Sequence, residues 1–116
     1  MTVIAEYDYE TWGTGADGAQ TTTGTVAAGQ NLAARTPLGM VDGKFVAWDP
    51  TASNGAEVAV RMTVMAVDAS GGDKPAPLIK SGTFNPELVN WPAGATDAQK
   101  AAAFVGTPIS LQLPGG

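Results

Sequence analysis

The side chains able to do chemistry in this chain are eleven carboxylates, six Lys and Arg, two Tyr and the hydroxyls, with no Cys and no His. Thiol nucleophiles, imidazole bases, Ser-His-Asp triads, disulfides and Cys/His zinc sites are thereby excluded. Carboxylate pairs remain. A hydrolytic pair needs one acid buried with a raised pKa opposite a second, whereas the acids here stand at strand ends and turns, where water reaches them. Asp68, Ser70 and Asp73 around Gly71-Gly72 suggest a calcium loop but lack its alternating oxygen ligands and terminal Glu. Gly13-Thr14-Gly15-Ala16-Asp17-Gly18 spells G-x-G-x-x-G. A dinucleotide site requires a helix opening at the last glycine. The following Ala19-Gln20-Thr21-Thr22-Thr23-Gly24, with three consecutive β-branched residues, does not begin one. No catalytic residue, metal ligand or cofactor is expected.

The elements that position these residues are mostly strands. With 116 residues, 44% of them hydrophobic, and 15 Gly beside 8 Pro, the chain is one turn-rich domain. The net charge of -5 leaves no basic surplus for a phosphate backbone, so no nucleic-acid partner is expected. Asp42-Gly43 between Met40-Val41 and Lys44-Phe45-Val46-Ala47-Trp48 predicts a hairpin whose turn needs positive φ. Thr36-Pro37-Leu38 reads as an extended edge segment, because Pro cannot donate to a ladder. Residues 58–67 are expected to form a central strand, 68–77 a loop, and Leu78-Ile79-Lys80 a short strand. Thr96-Asp97-Ala98-Gln99 is a capping box, and the apolar spacing after it predicts a helix over about 97–105, closed by Gly106 and Pro108. Ile109, Leu111 and Leu113 alternate as a last strand. The fold class is α+β, mostly β: a small domain over 21–116 with one short C-terminal helix, preceded by an extended arm and Gly-rich linker over 1–20.

The arm is distinctive. Val3, Ala5, Tyr7 and Tyr9 alternate with Thr2, Glu6, Asp8 and Glu10, interrupted only by Ile4, which is strand periodicity. A strand set beyond a flexible linker either docks back on its own domain or pairs with another chain's sheet edge. Trp12, next to the linker, has no obvious core to enter and reads as an exposed interface anchor. No targeting or membrane-spanning segment is expected, and the chain reads as soluble and intracellular at synthesis. Two other uses of these residues compete: a carbohydrate-binding β module stacking sugars on exposed Trp12 and Trp48, and a small carboxylate-dependent enzyme.

Six short segments carry a resemblance. Residues 44–49 (Lys-Phe-Val-Ala-Trp-Asp), 80–84 (Lys-Ser-Gly-Thr-Phe), Trp91-Pro92 and 104–110 (Phe-Val-Gly-Thr-Pro-Ile-Ser), with Thr36-Pro37-Leu38 and Asn54-Gly55-Ala56, follow the order and spacing of the bacteriophage lambda head decoration proteins, which the chain resembles from about Thr21 to Leu111. The arm matches only in character. The resemblance implies a capsid-decorating trimer on the three-fold sites of the expanded head, stabilising it against packaged DNA. The location implied is the outer surface of the virion, with assembly in the host cytoplasm. It also implies the major capsid protein as partner, no catalytic residue and no cofactor. Capsid contact is then expected from Thr2, Val3, Ile4, Ala5, Tyr7, Tyr9 and Trp12, the arm adding a strand to the capsid protein. Thr36, Pro37, Leu38, Trp91 and Pro92 are candidates for the trimer contact.

Overall fold

The structure, a computed structural model, describes residues 12–14 and 18–113. Its strands run in the order β1 (Gln20–Val26), β2 (Asn31–Leu32), β3 (Pro37–Val41), β4 (Lys44–Ala47), β5 (Arg61–Thr63), β6 (Val67–Asp68), β7 (Lys74–Phe84) and β8 (Ile109–Leu111). A 3-10 turn over Pro86–Leu88 and the helix α1 (Asp97–Ala102) separate the last two strands. The fold class is as the sequence predicts, mostly strands with one short helix.

Strands β1, β4, β3, β5 and β7 pair in turn, and β7 pairs again with β1, which closes a small barrel. Closure leaves few sheet edges to manage. The longest strand, β7, makes this possible. It runs antiparallel to β1 from Lys74 to Ser81, meets β5 at Leu78 and Ile79, and carries β8 in parallel at Gly82 to Phe84. Adjacent strand residues face opposite ways, so Leu78 and Ile79 belong to two cores. Leu78 packs with Val26, Leu38, Phe45 and Val67. Ile79 packs with Trp48, Met62, Phe84, Phe104 and Ile109.

The seam between β1 and β4 has a single register pair, Val26 with Phe45. It is reinforced by the loop before β7: the Asp73 carboxylate accepts from Ala28 N at 2.9 Å and pairs with Lys44 Nζ at 2.6 Å. The hydrogen bond from Lys44, then that from the Ala28 N–H, holds the Asp73 carboxyl below its ordinary 3.8. A lowered folded-state pKa contributes stability above the unfolded value that is lost as pH falls through the folded one. Asp73→Asn should therefore lower the melting temperature at neutral pH, and its difference from wild type should vanish at pH well below 3.8. Thermal melts of both proteins across that range check the sign.

The hairpin forms as predicted, with Asp42 at φ 52° and Gly43 at φ 79°. The capping box is present in both halves, Gln99 N donating to Thr96 Oγ1 at 3.1 Å and Thr96 N to Gln99 Oε1 at 2.8 Å. Four expectations are corrected. The central strand spans only 61–63, because β3 and β7 overlap it only through Pro37–Leu38 and Ile79–Leu78. Val64 and Met65 are exposed. The expected 68–77 loop is shorter, since β7 already begins at Lys74. Pro75 and Pro77 are tolerated because β7 has β1 alone beside it there. Thr36, Pro37 and Leu38 do not form a sheet edge: β3 lies between β4 and β5, and all three residues are buried. Pro37 fits as the strand's first residue, and its carbonyl accepts from Trp48 N at 2.9 Å. Finally, α1 ends at Ala102, ahead of the expected 105. Phe104 takes a left-handed φ of 67° and enters the core at 3% exposure, so burial overrides helix propensity.

Gly39 in β3 has a packing reason. A Cβ there would lie 2.7 Å from Ala56 Cα, a backbone atom that cannot swing aside. Gly39→Ala is expected to lower stability by about 1–3 kcal/mol through overpacking, read as a shifted urea midpoint.

Candidate functional site

The N-terminal segment meets the barrel at a clamp built on the end of β7. Gly13 bridges Phe84 in antiparallel sense. Asn85 N donates to Trp12 O at 2.7 Å, and Thr14 N to Thr83 O at 3.0 Å. On the other side of β7, Gln112 N donates to Phe84 O at 2.8 Å, and Thr14 Oγ1 reaches across to Gln112 O at 2.6 Å. The chain's first described residues and its last strand are thus tied to one short stretch of β7.

Trp12 supplies the apolar part of the clamp. It is half-buried, its ring centroid 4.7 Å from that of Phe84, and the Arg35 guanidinium lies 4.6 Å above its centroid. A cation over an indole face is favourable by about 0.5–2 kcal/mol. The sequence reading of Trp12 as a residue with no core to enter is therefore corrected: it packs against the cluster of Phe84, Ile79 and Met62.

Arg35 is aimed by buried polar groups. It sits at φ 61°, a costly conformation for a residue with a Cβ. Both its backbone groups are used, Arg35 N donating to Thr63 O at 2.9 Å and Asn90 N to Arg35 O at 2.8 Å. Thr63 Oγ1 donates to Ala33 O at 2.7 Å and accepts from Thr36 N at 2.8 Å, while Asn90 Nδ2 donates to Thr36 Oγ1 at 2.9 Å. Thr36 therefore serves this network inside its own subunit.

Of the expected site residues, Thr2, Val3, Ile4, Ala5, Tyr7 and Tyr9 lie outside the described residues. Trp91 and Pro92 are half-buried. Trp91 packs edge-on to Trp48 at 5.8 Å and donates Nε1–H to Pro86 O at 2.8 Å, the loop-anchoring role of such a residue. Sequence reasoning missed Arg35, Thr63 and Gln112. A lone Arg before Thr-Pro carries no local sign of the ring it covers.

The competing chemistries find no support in this geometry. Trp48 is 4% exposed, with its indole N–H donating to Glu57 O at 2.8 Å, so it offers no sugar platform. The segment after Gly18 is the strand β1, which removes the dinucleotide reading. Asp68 is occupied by Ser70 N and Oγ at 3.0 and 2.6 Å, and Asp73 by Lys44 and Ala28. Among the described residues no group of three or more acids gathers as a metal would need, and no helix is long and apolar enough to cross a membrane.

A small closed barrel with Trp12–Thr14 clamped to one strand end, and with Asp49, Asp68 and Asp73 held at its loops, fits a protein that works through its surfaces. Comparison with known proteins agrees. The family described as bacteriophage lambda head decoration protein D matches over residues 3–111. A head decoration protein of Enterobacteria phage P21 is 33% identical over 99 residues, covering 83% of this chain and 81% of that protein. A protein of Escherichia phage N15 described as a decoration protein is 39% identical over 82 residues, covering 67% of this chain and 69% of that one. The chain belongs to the lambda head decoration protein family, a structural family of the phage capsid.

Proposed function

We propose that this protein decorates the outer surface of an expanded phage head, sitting as a homotrimer at three-fold sites and stabilising the shell against packaged DNA. Family membership carries the decoration role, since the matched region spans nearly the whole chain. The arm then acts as the attachment element. Residues 2–10 add a strand to the major capsid protein, main-chain hydrogen bonds giving register while Val3, Ala5, Tyr7 and Tyr9 fill pockets on one face. Trp12 is the root of that arm. The clamp at Trp12–Thr14 supports this reading, because a fixed root limits the volume the arm searches and raises its effective concentration at a nearby edge. Three arms on one trimer reinforce one another, so the cap holds far better than any single arm and bridges neighbouring capsid subunits. No enzymatic step is involved.

Hydrogen exchange of the free and capsid-bound protein tests the strand addition. Amides of residues 2–10 are expected to gain protection in an alternating pattern on expanded shells. Uniformly fast exchange across those residues on saturated shells would show that the arm adds no strand.

A further inference from the structure

We propose that the Val105 ridge, with the groove beside it lined by Val58, Pro50 and Ala102, is the surface through which one copy of this chain meets the next. This assignment rests on the trimer reading above. Val105 is 76% exposed and Val58 53%, the two largest exposures among the big apolar side chains described. They line one groove together with Pro50, Ala102 and the edge of Phe104. The ridge is held in place: Phe104, at φ 67°, drives its own ring into the core and turns the next residue outward. Its carbonyl accepts from Thr107 N at 3.0 Å and Thr107 Oγ1 at 2.7 Å. A rigid apolar knob loses little freedom on docking.

Charge selects a second copy as the occupant. A chain with net charge -5 repels its own copies, so they approach most readily where the surface is apolar and its few charges complement each other. Glu57 lines the groove on one side of the Val105 ridge, and Lys100 lines the groove on its other side. Neither makes an ion pair within the subunit among the described residues. A ring of three requires a head-to-tail contact between two different patches of each chain. Setting the ridge of one copy into the Glu57 groove of the next brings the Lys100 side of the first toward Glu57 of the second. Because the two patches adjoin, the contact lies close to the ring axis.

Sedimentation velocity of the full chain, with chemical cross-linking on expanded capsids, tests the assignment. Val105→Asp and Val58→Asp are expected to weaken trimerisation about tenfold or more, with the melting transition of the subunit retained because both side chains are exposed. Met65→Asp, in an exposed loop outside this groove, should assemble as wild type. Glu57→Lys and Lys100→Glu should each weaken assembly, and the two together should restore it. Wild-type assembly by Val105→Asp would overturn the assignment. So would normal trimers of Val105→Asp that have lost capsid affinity, which would give the face to the capsid protein. A wild-type protein that is monomeric both free and on shells would overturn the trimer reading itself, and this assignment with it.

Discussion

Deleting residues 1–11 is expected to leave the barrel folded and to lower its apparent affinity for expanded capsids by about 10²–10⁴-fold. The two halves of that expectation have separate grounds. The core clusters, the barrel closure and the Trp12 clamp described above lie outside the deleted segment, and the melting temperature is expected to stay near wild type. Attachment depends on three arms acting together, and removing them removes both the strand contacts and their mutual reinforcement. Titration of capsids with the truncated protein measures the loss. Unchanged affinity at full saturation would assign attachment to the barrel surface and reject the arm.

Phe84→Ala has the largest expected effect on stability. The ring is 1% exposed and packs against Trp12, and it folds over Gly82, where a Cβ would come within 2.7 Å of Phe84 Cζ. Truncating a buried Phe costs about 3–5 kcal/mol, a large share of the roughly 5–15 kcal/mol that holds a domain together. The variant should melt many degrees lower and release the Trp12 clamp as well. Trp12→Ala separates these consequences. Trp12 is only half-buried, so its loss should cost less stability while still freeing the root of the arm. A Trp12→Ala protein that stays folded yet binds capsids more weakly than wild type would show that the clamp serves attachment. If capsid binding by Trp12→Ala equals wild type at matched stability, the clamp serves only the fold.

Local signals in this chain were legible and long-range ones were not. Asp42-Gly43 and the Thr96 to Gln99 box are satisfied within a few residues of themselves, so the hairpin and helix start could be read directly. The extent of β7 could not, because Pro75 and Pro77 look like loop residues until β1 is known to be their only neighbour. For the same reason Pro37 suggested an edge, although it opens an interior strand. Residues 58–67 alternate like a strand, yet only Arg61, Met62 and Thr63 pair with β3 or β7, and of these Met62 alone pairs with both. At the site, the aromatic character of Trp12 was visible but its burial was not. That burial depends on Phe84, 72 positions away in sequence, and on Arg35, whose unusual backbone is held by Thr63 and Asn90. The family resemblance rested on blocks of the barrel, which explains why the class of protein was clear while contacts of the arm's root were not.

Co-sedimentation of the purified protein with capsids of the phage that encodes it, comparing unexpanded with expanded shells, tests the decoration role most directly. Saturable binding to expanded shells alone, at about three copies per three-fold site, is the expected result, a single arm contact being multiplied by the symmetry of the cap. Absence of binding to either form would contradict the account, leaving a decoration-protein fold that does not decorate.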